Sequence, residues 1–392
     1  MSVDAFDVTI EDPPTSWAQV LCLSLLTFLL VGLEFLPVSL LTPIAQALKI
    51  TDGQAGMAIT VSGFFAVATS LFGNGLLSRF DRKSVVLIYT GILTVSSVIV
   101  AIAPNFATFL VGRALVGVAI GGFWSLSTAI LARLVSSLEL PKAIALLQGG
   151  TAFAIVIAPA IGSFLGGLIG WRGTFLVTVP IGFAALMWQM VVLPRLPATE
   201  TASAGKMVGL LRNRTFLVGM AATCLVFIGM NALSIYLRPF LEGVTGVGLS
   251  SLSLMLFGVG LGGLVGTSVI GFVLRRHLAV ALVGMPCVVA LIAVLLIGVG
   301  ASPWATAGLL VLWGFFSTPV PVAWNTWMAK LVPNELEAAG GLQVALIQLS
   351  IAGGAFVGGI LFDTAGWWSA FLLAALLLTS SAALGAVATR QI

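Results

Sequence analysis

The chain has 392 residues, 59% of them hydrophobic and 8% charged, with a formal net charge of +4. A soluble domain carries about 25% charged residues. This composition, with a mean hydropathy of +1.17, excludes a soluble globular protein and a soluble domain on one anchor.

The first sixteen residues hold Asp4, Asp7, Glu11 and Asp12 and no Lys or Arg. A secretory signal needs a positive n-region, so residues 1–16 read as a cytoplasmic tail. Apolar runs between charges and turn residues then predict spans near 17–43, 54–77, 84–103, 106–134, 142–169 and 174–193. A polar linker, 194–214, separates these from six more runs near 215–238, 250–273, 279–299, 303–332, 336–361 and 367–389. Each span needs roughly 20 apolar residues, so the fold expected is an all-α membrane protein of twelve transmembrane helices. The domains are a six-helix bundle over 17–193 and a second over 215–392.

Orientation follows from Lys and Arg. With the N-terminus inside, the inner loops hold 13 of these residues and the outer loops only Lys49, Arg172 and Arg238, while Arg113 lies within a span. Both termini are therefore expected in the cytoplasm, in a bacterial-type inner membrane. The net charge reflects this bias; no basic face for nucleic acid is present. His277, the single histidine, lies in a predicted basic loop, and Cys22, Cys224 and Cys287 lie in apolar runs without CxxC spacing. No metal, cofactor or enzymatic triad is expected from them, and the cysteines read as small buried hydrophobes.

A shift of 197 residues aligns the two halves. Glu34 meets Asn231, Gly63 meets Gly260, Arg79 meets Arg276, and Ala132–Val135 meets Ala329–Val332. After a one-residue slip, Gly170–Trp171 and Phe175 meet Gly366–Trp367 and Phe371. Two parallel six-helix halves with a site between them near the midplane are a known transporter architecture.

The loop Asn74-Gly-Leu-Leu-Ser-Arg-Phe-Asp-Arg-Lys83 resembles the loop 2–3 signature of the major facilitator superfamily, departing from it at Ser78 and Asp81. Gly112-Arg113-Ala-Leu-Val-Gly117 in span 4 is similar to that family's intramembrane arginine motif. Ala158-Pro159-Ala-Ile-Gly162-Ser-Phe-Leu-Gly166-Gly167 in span 5 is similar to its antiporter signature, with Ala158 in place of a glycine. The resemblance covers essentially the whole chain and points to the twelve-span drug:proton antiporter branch. Within that branch, Glu34-Phe-Leu-Pro-Val-Ser-Leu-Leu-Thr-Pro43, Gly121-Gly-Phe-Trp124 and Gln343-Val-Ala-Leu-Ile-Gln-Leu349 resemble purine ribonucleoside exporters. It implies export of small molecules by alternating access, with a proton gradient as energy source and Arg79, Asp81, Arg82, Pro159 and Gly162 in gating.

Two ionisable residues lie well inside spans, Glu34 and Arg113. Each costs roughly 2.5–3.5 kcal/mol at a helix centre on insertion scales, which makes function the first reading. Glu34 lies about 9 residues from the outer end of span 1 and Arg113 about 7 from that of span 4, so at about 1.5 Å per residue their depths agree. An ion pair, direct or through water, is expected, with Glu34 as proton carrier and Arg113 as its partner. Their counterparts, Asn231 and Leu310, are uncharged, which confines titration to half one.

Substrate contacts are sought among rings and polar side chains suited to a planar ligand. The candidates are Phe35, Ser39, Trp124, Ser127, Gln148, Asn231, Tyr236, Trp324, Asn325, Gln343 and Gln348. Purine nucleosides or related compounds are the expected substrates; sugars or amphipathic drugs are the alternative, as is uptake by proton symport. The expected partners are substrate, protons and the bilayer, with the chain a monomer. A membrane receptor or scaffold is the reading outside transport.

Overall fold

The computed structural model describes residues 16–77, 79–136, 139–197, 209–210, 212–332 and 336–390. Most of the acidic tail, Ser78, and the linker residues 198–208 and 211 (Lys206 among them) lie outside the described residues. Among those described, ten helices are long and apolar enough to cross a bilayer. Two of the ten are double. Leu140–Val192 and Leu249–Val299 run 53 and 51 residues, close to 80 Å each if straight, against a hydrocarbon core of about 30 Å. Each contains one non-helical residue, Gly170 (φ 74°, ψ 166°) and His277 (φ −133°, ψ 43°), and folds back there. The result is twelve crossings.

Spans 5 and 6 therefore occupy 140–169 and 171–192, and spans 8 and 9 occupy 249–276 and 278–299. The loops predicted after spans 5 and 8 shrink to single residues. At the first, only glycine adopts the required backbone without strain. Gly366, between Leu336–Ala365 (span 11) and Trp367–Thr389 (span 12), takes the same conformation at φ 94°, ψ 167°. After each glycine comes a tryptophan edge-on to a phenylalanine four residues later, at 6.4 Å for Trp171–Phe175 and 5.6 Å for Trp367–Phe371. The sequence repeat is thus a repeat of backbone and of packing.

Spans 1 and 7 repeat in another way. Trp17–Ser39 breaks at Leu40 and continues as Leu41–Leu48. Arg214–Ser234 breaks at Ile235–Tyr236 and continues as Leu237–Gly243. Span 10 is also divided, as Pro303–Ser317 and Val320–Leu331, where Pro319 and Pro321 remove donors. Spans 2, 3 and 4 are Asp52–Leu76, Arg82–Ile102 and Phe106–Leu134. Within half one, span 1 lies along span 5, span 2 along span 4, and span 3 along spans 4 and 6. Between halves, span 2 packs on span 11, and the span 5–6 helix on the span 8–9 helix.

Lipid offers no hydrophobic drive for helix association, so close approach at small residues matters more. A Cβ on Gly117 would overlap the Ser62 carbonyl, and one on Gly314 the Val259 carbonyl, the same contact at a shift of 197. Across the halves, Gly63 lies against Ala352 and Gly260 against Val156. Both junctions between halves are built on one glycine each from equivalent positions. Of the cysteines, Cys22 is buried, Cys224 half-buried and Cys287 exposed, so the expectation of three buried thiols holds only in part.

On the predicted inner face Asp81 organises the start of span 3. Its carboxylate accepts from Lys83 N (2.8 Å), Ser84 N (3.4 Å), Ser84 Oγ (2.6 Å) and, across to the linker, Leu196 N (3.3 Å). Arg82 N donates to Leu196 O at 2.8 Å and Arg133 Nη1 to Pro197 O at 2.7 Å. The first linker residues are therefore fastened to half one. Partial burial pushes the Asp81 carboxyl up, but these hydrogen bonds outweigh it and hold the group below its ordinary range. A depressed folded value means the contribution is complete above the unfolded pKa of about 3.9 and disappears as pH falls through the folded one. Asp81→Ala is expected to cost about 1 kcal/mol, as for a lost helix cap. In thermal unfolding at pH 7 the variant should melt earlier than wild type, and the gap should close below about pH 4.

Candidate functional site

Pro37 lies inside span 1 and has no N–H to donate to Leu33 O, four residues back. That carbonyl is taken by Arg113. From span 4, Nη1 donates to Leu33 O at 2.6 Å and Nη2 to Glu34 O at 2.9 Å. Nε donates to Ala58 O at 3.3 Å and Nη2 also to Ser62 Oγ at 3.3 Å, both on span 2. Arg113 is fully buried, and these bonds join spans 1, 2 and 4.

Of the ion pair expected between Glu34 and Arg113, direct or through water, the direct form is not present. The guanidinium meets the backbone carbonyl of Glu34, while the carboxylate turns away from half one. Glu34 Oε1 accepts from Gln348 Nε2 at 3.1 Å, on span 11 of half two. Glu34 is 5% exposed and Gln348 9%. Arg113 stays beside Glu34 through the bond to its backbone carbonyl.

From this depth to the predicted outer face the halves meet along spans 1 and 2 of one and 7 and 11 of the other. Thr60 Oγ1 donates to Ala352 O at 3.2 Å. Tyr236 donates to Ala355 O at 2.7 Å, stacks on Phe362 at 5.1 Å, and fills the space left by Gly56, Gly358 and Gly359. Arg238 donates to Ser39 O and pairs with Glu242 at 2.9 Å. At the rim, Asp363 of span 11 accepts from Thr51 Oγ1 at 2.5 Å and Gly53 N at 3.0 Å, capping span 2 from the opposite half. A Cβ on Gly53 would run into that carboxylate.

The other sequence candidates divide by location. Trp124 is half-buried and edge-on to Phe123 at 6.2 Å, Phe35 is half-buried, and Gln148 and Asn325 are exposed. Gln343 is buried with Nε2 unpartnered. Asn231 bonds Phe227 O at 2.9 Å beside Gly354 of span 11, and Ser127 bonds Trp124 O at 3.1 Å.

Three substrate candidates lie elsewhere. Ser39 and Tyr236 belong to the outer seal, and the Ser39 hydroxyl is spent on Leu36 O at 2.9 Å. Trp324 is fully buried against Trp327, 5.4 Å between rings, and its edge reaches Gly385 of span 12. It packs the interior of half two.

Among the gating candidates, Gly162 seats Ser39 and Leu36 of span 1 and Pro159 is half-buried in the same helix. Arg79 is exposed and Arg82 buried. Asp81 caps span 3 and holds the linker rather than bridging the halves. Asp363, Thr51 and Arg238 are not among the candidates: Asp363 lies beyond the predicted end of span 11 at 361, Thr51 lies between spans 1 and 2, and Arg238, at the predicted end of span 7, counts only as an outer charge. Pro37, three residues after Glu34, was a legible signal for Arg113.

Asp363→Ala removes two bonds worth about 0.5–1.5 kcal/mol each, so opening at the outer rim should become roughly tenfold more populated. Spin labels at exposed Ala47 and Thr364, in a Cys287→Ser background, should show a larger long-distance population in the variant. An unchanged distribution would count against the rim contact as part of the seal.

A family model described as the Major Facilitator Superfamily matches residues 23–355. The transcription regulatory protein OpdE of Pseudomonas aeruginosa is 44% identical over 397 residues, covering 100% of this chain and 99% of that protein. The purine ribonucleoside efflux pump NepI of Escherichia coli is 38% identical, covering 94% of this chain and 93% of that one. Among solved structures, a bacterial homologue of the human lysosomal transporter Spinster, inward-facing and unoccupied, superposes with a TM-score of 0.76 at 16% identity, over 95% of this chain and 96% of that one. The human organic anion transporter MFSD10 (TETRAN) gives 0.66 at 20%, over 94% and 98%. Matched along most of its length by that family model and by relatives well above 30% identity, the chain belongs to the Major Facilitator Superfamily of membrane transporters.

Proposed function

We propose that this transporter exports purine nucleosides or closely related compounds from the cytoplasm, driven by proton entry, with Glu34 as the proton carrier. The observation that carries this reading is a buried carboxylate whose hydrogen bond crosses between the two halves. An acid in that position changes surroundings whenever the halves rock, so its proton affinity changes with access. The arrangement described here is closed toward the predicted outer face, which suits a carrier poised to load from the cytoplasm. The loop charges support an inner-membrane location with both termini cytoplasmic.

The nucleoside assignment rests on the NepI relatives and on chemistry. Trp124 supplies a ring face, and Gln148, Asn231, Asn325 and the unpartnered Gln343 amide supply directional donors and acceptors. Sugars and amphipathic drugs would use the same groups less fully. A second reading, a ligand-sensing membrane receptor or scaffold, draws on the OpdE relative, whose name denotes regulation.

Proteoliposomes loaded with radiolabelled adenosine or inosine and given an imposed pH gradient test the proposal. Wild type should drive counterflow, and Glu34→Gln should reduce it at least about tenfold while leaving nucleoside binding measurable. Intact gradient-driven flux in Glu34→Gln would remove Glu34 as carrier. Binding without flux in wild type would favour the receptor reading, and accumulation in the direction of proton flow would favour symport.

A further inference from the structure

Alternating access by itself does not prevent an empty carrier from cycling and leaking protons. Some interaction must hold the empty, deprotonated carrier until substrate arrives. The geometry at Glu34 supplies one. Its carboxylate accepts across the interface from Gln348, while the facing Arg113 gives its hydrogen bonds to Leu33 O, Glu34 O, Ala58 O and Ser62 Oγ. Gln348 in turn lies on the face of span 11 that meets span 2, with its backbone carbonyl oxygen against Gly63. Separating the halves at this depth therefore breaks the Glu34–Gln348 bond.

We infer that Gln348 is a positioning residue that holds the ionised Glu34, keeps the empty carrier closed on its outer side, and surrenders that bond to the substrate. The inference rests on the proposed proton role of Glu34 and adds a mechanism for coupling. A hydrogen bond to a charged acceptor is about twice as strong as a neutral one, so an ionised Glu34 holds the halves more firmly than a protonated one. A glutamine amide offers one donor and one acceptor side by side. Those two groups match the edge of a purine, as in the bidentate pairing of Gln with the N6 and N7 edge of adenine. A purine that takes the Gln348 amide releases Glu34 and with it the inner end of the seal. A ligand without such an edge leaves the bond in place.

Full-length protein in proteoliposomes, with an internal pH dye and adenosine as substrate, provides the test. Gln348→Leu keeps most of the volume and removes the amide. Substrate-free proton leak is expected to rise about tenfold, as for loss of a hydrogen bond to a charged group, and the KM for adenosine to rise by a similar factor. Gln348→Asn should recover part of both. Gln348→Met, close in shape but without the amide, should reproduce both effects, which a purely structural role of the side chain would not predict. Leak and KM unchanged in Gln348→Leu would overturn the inference. If that variant does not fold, leak and KM unchanged in Gln348→Met would do so. The two levels separate cleanly: proton-driven flux surviving Glu34→Gln removes the proton role, whereas tight coupling in Gln348→Leu with a dead Glu34→Gln removes only Gln348.

Discussion

A guanidinium buried in apolar surroundings must find acceptors, and much of half one is arranged around that need. Among the described residues no carboxylate touches Arg113, so it uses backbone carbonyls, and a carbonyl is most available where its helix has lost a donor. Pro37 creates that vacancy at Leu33. The proline of span 1 and the buried arginine of span 4 thus explain each other. With Ala58 and Ser62 as further acceptors, three helices become one rigid unit. Glu34 follows from the same arrangement. Its backbone is held by Arg113, and its carboxylate is left to face half two.

Duplication supplies the frame, and its failures supply the chemistry. Gly117 and Gly314, Gly63 and Gly260, and Gly170 and Gly366 each serve the same purpose in both halves. These positions govern close approach and turning, which both bundles require equally. The polar positions do not repeat. Asn231, the counterpart of Glu34, satisfies its own helix through Phe227 O, and Leu310 stands where Arg113 stands in half one. Half two keeps its amides for the interface, where Gln348 reaches across.

The spans, the phase of the repeat and the shared depth of Glu34 and Arg113 were legible in the sequence, because burial in lipid imposes long apolar runs and makes any charge conspicuous. The direct form of the expected Glu34–Arg113 pair is not found, since sequence spacing reports depth along a helix but not which atoms of a residue meet. Trp324 shows the same limit. Its type and span suited a ligand, yet its side of the helix faces span 12. Asp363 escaped notice for a different reason. A charge near a helix end looks like ordinary surface, and only the tertiary fold reveals that the amides it caps belong to the other half.

The outer seal has unlike ends. At the rim, Asp363 and the first amides of span 2 adjoin water, which replaces each partner as soon as they part. At the depth of Glu34 no such replacement is at hand, and parting leaves a buried charge without a donor. Opening should therefore begin by fraying at the rim and stall at Glu34, as a zipper stops at its last tooth. The transport cycle then acquires a half-parted intermediate, and its lifetime is governed by events one layer deeper than the contacts that break first.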